Sequence, residues 1–194
     1  MSIKKIIVLV YSILSISLIA DYYKKGNEVH YEGYDHKNGK FINYNDEIKN
    51  IDLDSFEQLN PFYARDKNTV YFRGKETDID RNSIKIIRLN LVTDKNFVYY
   101  GDKKLKVSPK NFLFVNQNVS NGSIPTIHAG SIFYVKDFQN AYHVKVDKDE
   151  NIKETKLDSA DVGKLVSWNE ILAKDGKNIY YYGEKIGYID VSSF

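Results

Sequence analysis

Acidic residues return through this 194-residue chain in settings that suit a general base, a metal ligand or a turn former. Five stand in related contexts: Asp35 in YDHKNGKFINY, Asp66 in DKNTVYF, Asp94 in DKNFVYY, Asp137 in DFQNAYH and Asp175 in DGKNIYY. Carboxylate-based hydrolysis needs two acids in different environments at a set separation. An acid that recurs once per repeat meets the same environment each time, so it serves the repeat and not one reaction centre. The four His are His30, His36, His128 and His143, and none has metal-ligand spacing such as H-E-x-x-H. His143 takes the place that Phe72 holds in its own repeat, which marks it as a packing residue. Ser131 follows Gly130 without completing a G-x-S-x-G elbow, and the chain has no Cys, which removes thiol catalysis and disulfides. DKDEN from Asp147 is the most metal-like stretch. Asp147, Asp149 and Asn151 match positions 1, 3 and 5 of a calcium loop, and Asp158 falls at position 12. Ile152 stands where that loop needs Gly, and a hairpin tip accounts for the same residues. No catalytic, cofactor-binding or metal residue is therefore expected.

Tyrosines give a second candidate. Tyr71, Tyr99, Tyr142 and Tyr181 are read as equivalent positions that stacking would align. Exposed, such a row would grip sugars; packed between layers, it would send its hydroxyls to water, and the packed arrangement is the expectation.

The elements that must position these residues follow from two interleaved motifs. Asp-Lys-Asn between apolar alternations suits a hairpin loop, since Asp bonds nearby amides and Asn tolerates left-handed backbone. A second motif pairs an Asp or Ser with an apolar residue four positions on, in DLDSF from Asp52, DRNSI from Asp80, SPKNF from Ser108, DVGKL from Asp161 and DVSSF from Asp190. It precedes the hairpin acid by 14 residues at 52→66, 80→94 and 161→175. Gly74, Gly101 and Gly183 mark a further tight turn. The predicted unit is strand, turn, strand, turn, short strand and one helical turn, with Pro109 at the first helical position. Such a unit cannot bury both its faces alone, so units must stack. The expected fold is mainly β: tandem hairpin repeats of about 28 residues with single helical turns, in an elongated or curved array, with propeller-like closure as the alternative. Insertions at about 115–130 and 145–157 interrupt the array, and binding function is expected there.

DKNTVYF, DKNFVYYG and SPKNF resemble the DKNYY family of bacterial repeat proteins, named for an Asp-Lys-Asn-Tyr-Tyr motif. The resemblance runs from about Tyr34 to Phe194. DFQN at Asp137 lacks the Lys, and DGKN at Asp175 reads as carrying an extra residue. The resemblance implies a bacterial, typically exported protein. The family's molecular function is uncharacterised, so it brings no catalytic residue.

The N-terminus points the same way. Lys4 and Lys5 precede fifteen uncharged residues from Ile6 to Ala20, the pattern of a secretory signal or, uncleaved, of a membrane anchor. Residues 1–20 are thus read as signal or anchor, 21–33 as linker and 34–194 as the repeat domain. Residues 21–194 hold 26 basic and 26 acidic side chains, and such a neutral body argues against nucleic acid and against electrostatic adhesion to lipid. The functional expectation is an exported, non-catalytic envelope scaffold binding a protein partner. The alternatives are carbohydrate or cell-wall binding through the Tyr row and a carboxylate-based hydrolase. Localisation is expected to be periplasm, envelope or secreted, with membrane contact only through residues 6–20 if they are retained. Self-association through the last unit, which ends at Phe194, is a further expectation.

Overall fold

The computed structural model describes residues 21–115 and 131–187, apart from Asn38 and Gly39. Its strands fall into five antiparallel sheets, each formed by strands consecutive in the chain. The first has three strands, β1 (Asp21–Lys25), β2 (Glu28–Lys37) and β3 (Lys40–Glu47). The other four sheets have four strands each. The second holds β4 (Glu57–Gln58), β5 (Tyr63–Arg65), β6 (Val70–Phe72) and β7 (Lys75–Thr77). The third holds β8 (Lys85–Ile86), β9 (Leu91–Thr93), β10 (Val98–Tyr100) and β11 (Lys103–Lys104). The fourth holds β12 (Leu113–Phe114), β13 (Ile132–Lys136), β14 (Ala141–Val146) and β15 (Ile152–Lys156), and the fifth β16 (Val166–Ser167), β17 (Leu172–Lys174), β18 (Ile179–Tyr181) and β19 (Glu184–Ile186).

Alternation along these short strands explains why the units stack. In the second unit Ala64 and Tyr71 pair across β5 and β6 and pack against Tyr22, Val29 and Tyr31 of the first. Their neighbours Tyr63, Val70 and Phe72 point to the opposite face and meet Val92 and Tyr99 of the third unit. Leu91, Val98 and Tyr100 then meet Phe133, Val135 and Tyr142 of the fourth. Tyr134 and Ala141 finally meet Ala173 and Tyr180 of the fifth. Each inner sheet is thus apolar on both faces, and each core lies between consecutive units. No core joins the fifth unit to the first among the described residues, so the sheets form a row and do not close into a ring.

The mainly-β repeat expectation matches the structure, with four corrections in detail. The second motif forms a turn and not a helix: Ser83 N donates to Asp80 O at 3.1 Å, and Lys164 N donates to Asp161 O at 3.0 Å beside Leu165 N to Val162 O at 3.4 Å. The second to fifth units each also open with a two-residue strand, such as β4 or β8, that is too short to carry a periodic signal. The stretch 21–33, expected as linker, forms β1 and the start of β2. Asp35, expected at a hairpin loop, lies inside β2 opposite Ile42. The first unit reverses between Lys25 and Glu28, at Gly26-Asn27, and again between Lys37 and Lys40. The expected insertion at 145–157 is a lengthened hairpin, β14–β15, five to six residues per strand where β6–β7 has three. Residues 1–20, most of the 115–130 insertion with His128, and the last motif at Asp190 lie outside the described residues.

Candidate functional site

The repeated acids are the first place to look for chemistry, and their geometry assigns them elsewhere. Asp66 is fully buried. Its Oδ1 accepts the amides of Asn68 at 2.7 Å and Thr69 at 2.9 Å, closing the hairpin loop. Its Oδ2 accepts Asp52 N at 2.8 Å and the Tyr71 hydroxyl at 3.0 Å. Asp94 repeats the set with Asn96, Phe97, Asp80 N and Tyr99. Asp175 does so with Lys177, Asn178, Asp161 N and Tyr180. The 14-residue spacing is therefore one hydrogen bond, from the amide that opens the unit to the acid that closes its central hairpin. Asp137 keeps this bond with Ser108 N at 2.8 Å across the longer intervening segment.

Electrostatics follow from that crowding. Burial pushes the carboxyls of Asp66, Asp94 and Asp175 up, but the amides and tyrosine hydroxyls aimed at them outweigh it. All three lie below the ordinary carboxylate value, Asp175 at about 2. The phenols of Tyr71, Tyr99 and Tyr180 move up, through burial and then through the bond to the acid. Both partners are thus fixed in their ordinary charge states, the reverse of what acid–base catalysis asks. Two units add a further clasp. Ser55 Oγ donates to Asp52 at 2.6 Å and accepts Lys67 N at 2.8 Å, and Ser83 does the same between Asp80 and Lys95 N.

This arrangement corrects two details of the sequence reading. DGKN at Asp175 carries no extra residue, because Lys177 and Asn178 donate from the same offsets as Asn68 and Thr69. The tyrosine equivalent to Tyr71 and Tyr99 is accordingly Tyr180 and not Tyr181, which is 47% exposed. The row is also not a binding surface: Tyr71, Tyr99, Tyr142 and Tyr180 are buried between sheets, and three of their hydroxyls end on acids and not in water.

An acid–amide–tyrosine lock repeated at a fixed offset is the grammar that the Asp-Lys-Asn-Tyr pattern writes, and the DKNYY family model matches residues 63–194. The chain belongs to the DKNYY family. The match begins inside the second unit, so the first stands outside it. No curated protein and no solved structure matches this DKNYY chain.

Of the other candidates, His143 sits where Phe72 does, as expected, buried with its ring 4.9 Å from that of Tyr134. His30 bonds Glu28 at 2.9 Å and stacks on Tyr23, while His36 falls in β2. At the DKDEN stretch Asp147 accepts the amides of Asp149 and Asn151 and the Asn151 side chain, so its oxygens serve the hairpin tip.

That tip lies in the 145–157 insertion, where binding function is expected, and it builds a site with residues of other units that no motif named. The lengthened β14–β15 hairpin leans back across the third unit and reaches the second. Glu150 forms an ion pair with Arg73 at 2.9 Å, Lys103 Nζ donates to Glu150 O at 2.7 Å, and Lys106 N donates to Glu154 at 2.8 Å. Between this strap and the first two units lies a cavity of about 270 Å³. Tyr31, Gly33 and Phe72 provide its apolar wall. Arg73 is held in place by more than Glu150: its guanidinium lies 5.4 Å from the Phe62 ring and 5.1 Å from that of Phe72. Lys75 and Lys103 add positive charge, and Asp46, Asp102 and Glu150 add negative charge. Four repeats contribute, the first from within β2 and β3 and the others from residues at or near a turn, which is why no local motif announces the site.

Proposed function

We propose that this DKNYY chain is an exported, non-catalytic scaffold of the bacterial envelope that binds a protein partner through the face carrying the four-unit cavity. The observation that supports this best is the use of the repeated acids. Their oxygens are filled by amides and tyrosine hydroxyls, so the most recurrent polar groups maintain the array. Asp46, Lys75 and Asp102 line the cavity without an ion-pair partner among the described residues, which leaves them to recognise something else. The uncharged run Ile6–Ala20 behind Lys4 and Lys5 supports export. The neutral charge balance favours a protein partner over nucleic acid.

Cell fractionation of the tagged full chain, combined with photocrosslinkers placed singly at Lys75 and Lys164, tests the proposal. Both side chains are exposed, the first at the cavity and the second on the turn of the fifth unit. The expected outcome is a chain in the envelope or secreted fraction and a discrete adduct from position 75 alone. A cytosolic chain would overturn export, and equal adducts from both positions would overturn the assignment of the face.

A further inference from the structure

We infer that the four-unit cavity is a binding site for a small amphoteric ligand of about dipeptide size, one that carries an ammonium and a carboxylate around an apolar body. This deepens the scaffold reading above and rests on it.

Charge balance carries the inference first. The lining sets Arg73, Lys75 and Lys103 against Asp46, Asp102 and Glu150, so the cavity as a whole is neutral. A polyanion or polycation would leave half of these groups facing like charge. An uncharged ligand would desolvate all of them without return. A ligand holding both charges satisfies both sets.

Distribution carries it second. Arg73, Lys103 and Glu150 already engage one another through the strap. Asp46, Lys75 and Asp102 line the cavity with no ion-pair partner among the described residues. They come from three different units: β3 of the first, β7 of the second and the β10–β11 turn of the third. They therefore present negative, positive and negative charge in succession along the row. A ligand ammonium fits the acids at either end and its carboxylate fits Lys75.

Volume and wall carry it third. A space of about 270 Å³ suits a ligand of about two amino acids. The Phe72 and Tyr31 rings give the apolar body a surface, as binding cavities commonly do. A Cβ at Gly33 would lie 3.0 Å from the Tyr31 ring, so a side chain at position 33 would crowd this wall.

Calorimetry of the full chain with alanyl-phenylalanine tests the inference, with the same dipeptide acetylated at one end, amidated at the other, or both, as comparison. Expected is millimolar or tighter binding of the free dipeptide, weakened about tenfold by either cap. K75E, on an exposed side chain that no fold contact needs, should weaken it by a similar factor while the circular dichroism spectrum stays that of the parent. No heat from the free dipeptide, equal binding of the doubly capped one, or full affinity in folded K75E would each overturn the inference. If the dipeptide fails but crosslinking at position 75 still captures one envelope protein, the amphoteric ligand falls and the scaffold reading stands. If both fail, both fall.

Discussion

Asp94 shows what one side chain contributes when four donors converge on it. Replacing it with Ala leaves the amides of Asp80, Asn96 and Phe97 and the Tyr99 hydroxyl without their acceptor in a buried place. Each such orphan costs about 1–3 kcal/mol, so D94A should lose at least 3 kcal/mol in urea unfolding. Y99F removes one hydroxyl and should lose about 1 kcal/mol. His143 argues the complementary case of a buried group with too few partners. Its Nε2 finds none among the described residues, and burial, then the charges of Lys145 and Lys153, hold its pKa down to about 4. The unfolded imidazole titrates near 6.5, so between those values the unfolded chain binds more protons than the native one. Stability present at neutral pH is therefore lost as pH falls from about 6.5 to about 4, by up to about 3 kcal/mol. H143F, which copies Phe72, should flatten that window. The acid-side loss that remains belongs to carboxylates such as Asp175, whose contribution disappears as pH falls from the ordinary value of 3.8 through about 2. Urea midpoints of parent and H143F across this range check both steps.

At the scale of elements, the turn after the third strand does more than reverse the chain. A Cβ on Gly74 would lie 2.9 Å from Tyr31, one on Gly101 2.9 Å from Phe72, and one on Gly183 2.6 Å from His143. Each glycine thus receives a ring from the preceding unit, and each has a positive φ, at 76°, 60° and 80°. Tyr22, Tyr63 and Tyr134 reinforce the same joints, Tyr63 by donating to Gly101 O at 2.8 Å and Tyr134 to Ile171 O at 3.0 Å. G101A should therefore cost more than G26A, although both replace a glycine near φ 60°, because Gly26 has open space around it. The backbone term of about 1–2 kcal/mol is common to both, and the excess in thermal unfolding measures the ring contact. These glycines were legible in the sequence as turn formers, and the hairpin acids as loop formers, because both roles depend on neighbours a few residues away. Their contacts with the next unit were not legible, since nothing near Gly101 names Phe72. The first short strand was missed because two residues such as Glu57-Gln58 cannot alternate visibly. Tyr180 was missed because Gly176 made DGKN look one residue too long, when the turn counts positions and not letters.

For the whole molecule, the decisive feature is a contact that skips a unit. A row held only by its four interfaces behaves as a chain of nearest neighbours, in which a change in the fourth unit reaches the second only through the third. The strap departs from that rule: Glu150 in the fourth unit pairs with Arg73 in the second, and about a quarter of each side chain is exposed. Such a partly shielded pair is worth about 1 kcal/mol, and a double-mutant cycle of R73A and E150A should return a coupling of that order. The more telling readout is local. E150A should raise amide exchange at the β14–β15 tip and also around the β6–β7 turn, some 75 residues away in sequence, while β18–β19 keeps its protection. Hydrogen exchange by mass spectrometry resolves these segments. A nearest-neighbour row predicts no change at β6–β7, so unchanged exchange there would leave the strap a surface contact without mechanical consequence. Release of both segments together would make the strap the element that holds the cavity's two sides at a fixed distance, linking whatever enters the cavity to the rigidity of three units of the row.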